Sequence, residues 1–71
     1  MEMNSYYKRL AKNIRVERAK IKISQLQLAE KAEVSIDTIG MIEREEGNPR
    51  LSTIISIAVA LGVDLNTLLP L

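Results

Sequence analysis

The side chains able to do chemistry in this chain are few, and their spacing says more than their number. His and Cys are both absent. That excludes Ser-His and Cys-His nucleophiles, disulfides, thiolate ligands and the usual zinc sets. No paired-carboxylate constellation replaces them, and a chain of 71 residues leaves little room for a substrate pocket. The chemistry that remains is non-covalent. Ser24 and Gln25 stand at the start of one helical segment, and Ser35 and Ile36 at the start of the next. Ile36, Gly40 and Arg44, with Asp37 and Met41, form one stripe at i, i+4 spacing. Such a stripe makes contacts and does not turn over a substrate. Neither an enzyme nor a cofactor, metal or small-molecule ligand is expected.

Charge is unevenly spread. The net charge is +1, but through Lys22 seven basic residues (Lys8, Arg9, Lys12, Arg15, Arg18, Lys20 and Lys22) face only Glu2 and Glu17. From Ile23 onward Lys31, Arg44 and Arg50 face seven acidic residues. A basic first segment attracts phosphate, although a solvated helix face has the same composition. The N-terminus is polar, and the longest apolar stretch, Ile54 to Val63, is about half a bilayer span. A cytoplasmic location without a membrane partner is therefore expected.

The elements that must position these residues follow from caps and periodicity. Tyr7, Leu10, Ala11 and Ile14 predict a first helix from about Ser5 to Lys20. Ser24 opens a second, with Gln27 completing a capping-box pattern and Leu28, Ala29 and Ala32 as its apolar members. Ser35 opens a third that buries Ile39 and Ile42. Gly47-Asn48-Pro49 stops it, with room to run on to Glu46 and Gly47 as the closing residue. LSTIISIAVALG is rich in β-branched residues, yet its length, lack of strict alternation and terminal Gly62 predict a helix. Asp64 caps a last short helix, Leu65 to Leu69, ended by Pro70. Together these give an all-α domain over residues 1–71 with a helix-turn-helix at about 24–45.

A longer pattern accompanies this spacing. SQLQLA, VSIDTI, IE, NP, an L-x-T-hydrophobic run and ALGVDL occur in order. Over roughly residues 10 to 69 the chain resembles the phage-repressor and Cro-like (XRE-type) helix-turn-helix DNA-binding regulators. The resemblance implies a compact five-helix, lambda-repressor-like domain. It places the third helix in the major groove of double-stranded DNA and sends the second across the backbone. Phosphate-facing residues are then Ser24, Gln25, Arg18, Arg44 and Arg50. Base-facing residues are Ser35, Ile36, Asp37, Gly40 and Met41. Arg18 and Glu43 match positions that form an ion pair in several family members, tying the first helix to the end of the third. The C-terminal Leu65, Leu68, Leu69 and Leu71 match an end that often forms a two-fold interface, so a homodimer on an inverted repeat is expected. The implied function is a transcriptional regulator, a repressor in the first instance. The alternative is a protein-binding module or an antitoxin-like component on the same fold.

The chain departs from the family pattern in three ways. Glu33 stands where the turn usually has Gly, which in a left-handed backbone costs on the order of 1 kcal/mol. The loop after the third helix carries Glu45 and Glu46 where basic residues are common, which opposes a phosphate backbone. The third departure is the reading face itself. Asp37 can accept from a cytosine amino group, Ile36 and Met41 can touch thymine methyls, and Gly40 allows close approach, but none of these residues makes a bidentate purine contact. DNA shape then carries more of the recognition.

Overall fold

Local chemistry opens the two central helices. The computed structural model describes residues 3–70. Among them are five helices, α1 (Met3–Lys20), α2 (Gln25–Ala32), α3 (Ile36–Glu43), α4 (Leu51–Leu61) and α5 (Leu65–Leu68), and no strand. At α2 both halves of the capping box form: Ser24 Oγ accepts from Gln27 N at 3.0 Å, and Gln27 Oε1 accepts from Ser24 N at 2.8 Å. At α3, Ser35 Oγ accepts from Thr38 N at 3.1 Å. Each cap satisfies backbone donors that have no partner inside the helix.

α1, α2, α3 and α4 all close in the same way. Lys22, Glu33, Glu45 and Gly62 take left-handed conformations, with φ of 57°, 59°, 63° and 74°. The residue after each donates to a carbonyl five positions back: Ile23 to Arg18, Val34 to Ala29, Glu46 to Met41 and Val63 to Ala58, at 2.8–3.2 Å. This is the Schellman closure, which consumes carbonyls left over at the helix end. Glycine suits it best, yet three of the four positions carry a side chain.

The expected end of α3 is corrected by this closure. Gly47 is left-handed as well, at φ 76°, but Glu45 makes the turn that closes α3, so the helix stops at Glu43 instead of running to Glu46. Asp64 occupies the N-cap position of α5 but makes no side-chain cap hydrogen bond, and α5 stops at Leu68, one residue short of the expected end.

The core is built from one face of each helix: Leu10, Ala11 and Ile14 of α1, Leu28, Ala29 and Ala32 of α2, Ile39 and Ile42 of α3, and Leu68 of α5. α4 contributes Ile54, Ile57, Ala58 and Leu61. That i, i+3, i+4, i+7 pattern explains why a β-branched segment is helical, since tertiary burial outweighs a propensity difference of a few tenths of a kcal/mol per residue. α2 packs on α3 and α4, α1 on α3 and α5, and α4 on α5. On the outer side of α4, Leu51, Ile55 and Val59 are exposed at i, i+4, i+8.

One expectation about the C-terminal leucines is overturned. Leu68 is fully buried in the protomer's own core, where it cannot meet a second copy. Leu65 and Leu69 pack partly against the same core, and Leu71 lies outside the described residues. Asn13 Nδ2 donates to the Leu68 carbonyl at 2.9 Å and ties α5 to α1. No helix among the described residues is long and apolar enough to cross a membrane.

Candidate nucleic-acid interface

Three side chains and one carboxylate fix the attitude of α3. Glu43, its last residue, is 7% exposed. Its Oε2 accepts from Arg18 Nε at 2.9 Å, and its Oε1 accepts from Arg18 Nη2 at 3.0 Å and Gln25 Nε2 at 3.1 Å. Arg15 Nη1 donates to the Glu43 backbone carbonyl at 2.6 Å. The carboxylate therefore joins α1, the start of α2 and the end of α3. A buried charge needs this many partners, because an unpaired one would cost several kcal/mol. The two arginines of α1 also face the carbonyl end of the α3 dipole, where cations are favoured.

Arg18, expected near phosphate, is turned inward. Its Nη1 donates to the Ile23 carbonyl at 2.9 Å, so all three guanidinium nitrogens have protein acceptors. Its role is the structural tie to Glu43. Gln25 spends one amide hydrogen on Glu43, and a primary amide has a second to offer. Arg15 and Asn13 were not singled out by sequence reasoning. Neither belongs to a local motif, and their acceptors are carbonyls 28 and 55 residues away.

The outward side of α3 carries the residues expected to face bases. Ser35, Ile36, Asp37 and Met41 are exposed, with Ile36 44% and Met41 41% accessible. Gly40 belongs to the same stripe but is covered. A Cβ built on it would lie 3.0 Å from Arg44 Nη1 and 3.8 Å from Arg44 Cζ, with only Arg44 atoms as near neighbours. The Arg44 guanidinium thus folds back over Gly40. It is held there by Glu46 Oε1, at 3.3 Å from Nε and 3.2 Å from Nη2. Arg50 stands at the N-cap position of α4, exposed, and borders a shallow depression shared with Thr38 and Met41. The loop is pinned to α1 by Tyr7, whose hydroxyl donates to Asn48 Oδ1 at 2.6 Å.

The basic first segment divides. Arg15 and Arg18 serve the tie to α3, Lys20 pairs with Glu17 at 3.0 Å, and Lys8, Arg9, Lys12 and Lys22 are exposed.

A capped helix, a short left-handed turn, and a second capped helix with its outer stripe exposed together define a DNA-binding helix-turn-helix domain. The Helix-turn-helix family model matches residues 14–68, and the chain belongs to that family. It is 46% identical over 57 residues to the immunity repressor protein of Bacillus phage phi105, a match covering 80% of this chain and 38% of the repressor. The chain thus spans well under half the length of that curated relative. Among solved structures it is similar to the hypothetical transcription factor NHTF from Neisseria, with a TM-score of 0.87 and 34% identity over 90% of this chain and 74% of that one. It also superposes on the restriction-modification controller protein C.AhdI from Aeromonas hydrophila, with a TM-score of 0.88 over 96% of this chain and 99% of that one. At 24% identity the second likeness is one of fold.

Proposed function

We propose that this chain is a sequence-specific transcriptional regulator, a repressor that binds an inverted-repeat operator as a homodimer and occludes a promoter. The observation that carries the reading is the exposed outer stripe of α3, from Ser35 to Met41, on a helix whose inner end is clamped through Glu43. The clamp fixes the helix so that its N-terminal half enters the major groove. Ser35, Ile36, Asp37 and Met41 face base edges there. Gln25, with the α2 backbone N–H groups beside Ser24, takes a phosphate, and Arg50 takes another. The family match over residues 14–68 and the repressor relative support the DNA-binding role, which in this reading residues 1–71 perform as one domain in the cytoplasm.

With Leu68 withdrawn into the core, self-association rests on the apolar side chains that remain exposed. Leu65 and Leu69 offer partial surface, and the α4 stripe of Leu51, Ile55 and Val59 offers more. Two copies joined by a two-fold axis set their reading helices about one DNA turn apart.

Selection of bound sites from random double-stranded DNA tests the whole reading. The expected product is an inverted repeat whose affinity falls steeply with salt. If the protein retains no DNA at low salt, the regulator reading is lost and the Ile36–Met41 face passes to a protein partner.

A further inference from the structure

We propose that Arg44 is a base-reading residue that recognises a guanine in each half-site, with Gly40 as its slot and Glu46 as its positioning residue. The inference rests on the DNA-binding reading above and names what α3 reads. From the sequence, Arg44 lies at the end of α3, where a cation is best placed for phosphate. The folded side chain alters that placement. By turning back over Gly40 the guanidinium retreats one helical turn, about 5.4 Å, toward the N-terminal half of the reading helix. It occupies the space that a side chain at residue 40 would fill, with Nη1 3.0 Å from the missing Cβ. A glycine at this point in a helix is otherwise unfavourable, at about 1 kcal/mol relative to alanine. The stripe of Ile36, Asp37, Gly40 and Met41 therefore holds a guanidinium in its middle, supplied from below.

The hydrogen-bond geometry calls for a ligand with two parallel acceptors, which both guanine and a phosphate offer. Glu46 Oε1 takes the Nε and Nη2 edge of the guanidinium at 3.3 and 3.2 Å. That orientation leaves the end-on pair of N–H groups, one from Nη1 and one from Nη2, directed away from the carboxylate. Two parallel donors match the O6 and N7 acceptors of guanine in the major groove, a pairing no other base offers. A phosphate contact would need neither the slot nor the carboxylate, and a carboxylate there would weaken it. Glu46, which from charge alone opposes DNA, acts instead by orienting the arginine. Its cost in overall affinity is exchanged for discrimination.

The test compares site selection and anisotropy titrations for the intact chain and for R44K, E46Q and Gly40→Ala. Arg44 and Glu46 are exposed and Gly40 is buried, with Arg44 atoms nearest to an added Cβ, and thermal melts check that each variant is folded. The intact chain should select one G·C pair per half-site in fixed register, with discrimination against other bases of roughly 5- to 150-fold. R44K should abolish that preference at the one position and leave the others in place. E46Q should raise overall affinity while relaxing the same position, a split that a merely repulsive carboxylate would not produce. Gly40→Ala, which crowds Nη1, should relax it as well. Uniform weakening by R44K across all sequences, with the salt slope reduced by about 1 and the selected site unchanged, would assign Arg44 to a phosphate and overturn the proposal. That result leaves DNA binding itself intact, whereas loss of all DNA binding by the intact chain removes both readings.

Discussion

Arg18 and Glu43 meet through two parallel hydrogen bonds, Nε to Oε2 at 2.9 Å and Nη2 to Oε1 at 3.0 Å, with Glu43 only 7% exposed. Taking away either partner strands the other in a poorly solvated place. Arg18→Ala and Glu43→Ala are each expected to cost about 3–5 kcal/mol, a large share of the stability of so small a domain. Replacing both by apolar residues of similar volume, as in Arg18→Met with Glu43→Leu, should recover most of that loss. Denaturant titration of the four proteins gives the coupling directly. Two equal and additive single losses would show that the side chains act separately.

The left-handed closures make a second prediction. Glu33→Gly and Lys22→Gly remove a Cβ from φ near +60° and should stabilise by up to about 1 kcal/mol, reduced by the greater freedom of glycine in the unfolded chain. Gly62→Ala is the mirror control at φ 74° and should destabilise by a similar amount. Melting curves that moved the same way for all three substitutions would contradict the backbone argument.

These closures also mark where the sequence could and could not be read. Ser24 with Gln27, and Ser35 with Thr38, satisfy donors within three residues, so α2 and α3 could be placed at their starts from local chemistry alone. The end of α3 was hidden because Glu45 adopts a conformation for which its identity carries no signal, while Gly47, two residues on, carries a strong one. The Glu43 pairing with Arg18 was visible only through family likeness. The donors Arg15 and Gln25 depend on helices that meet after folding. Arg44 lying over Gly40 belongs to the same class, because a rotamer selected by an absent side chain leaves no periodicity to detect.

Leu68 separates core from interface. Leu68→Ala should cost about 2–5 kcal/mol through lost burial and a residual cavity, and that loss should not depend on protein concentration. Val59→Glu with Ile55→Glu should leave the protomer folded, since both side chains are exposed, and should shift sedimentation toward monomer. A dimer unmoved by this pair would direct attention to Leu65 and Leu69 instead.

Gln25 and Arg50 should differ in a way that affinity alone does not reveal. Arg50→Ala removes a cation and should lower the magnitude of the slope of log K against log salt by about 0.9, the contribution of one phosphate. Gln25→Ala removes a neutral donor and should weaken binding at every salt concentration with the slope unchanged. It also removes one bond to Glu43, so its melting temperature is measured alongside. Binding titrations at four or five salt concentrations distinguish the two.

Ala29 tests the crossing of the helix pair. It is 2% exposed in the core where α2 meets its neighbours, and Ala29→Leu should cost about 1–3 kcal/mol through overpacking. Any expressed, folded fraction should also bind DNA less well, because a displaced α2 no longer presents its N-terminus and α3 together. Retained affinity in a destabilised variant would show that the crossing tolerates adjustment.

The clamp at Glu43 has a consequence for how such a protein changes over time. Its donors, Arg15, Arg18 and Gln25, all lie on α1 and α2, and none lies on the outward stripe of α3. Positions 36, 37 and 41 are therefore mechanically uncoupled from the parts that hold the helix at its angle. A duplicated copy can exchange those three side chains and acquire a new address on the chromosome while its architecture stays intact. The same separation makes the chain a ready scaffold for transplanted specificities, with residue 40 as the constraint: any larger side chain there displaces the arginine that now rests on it.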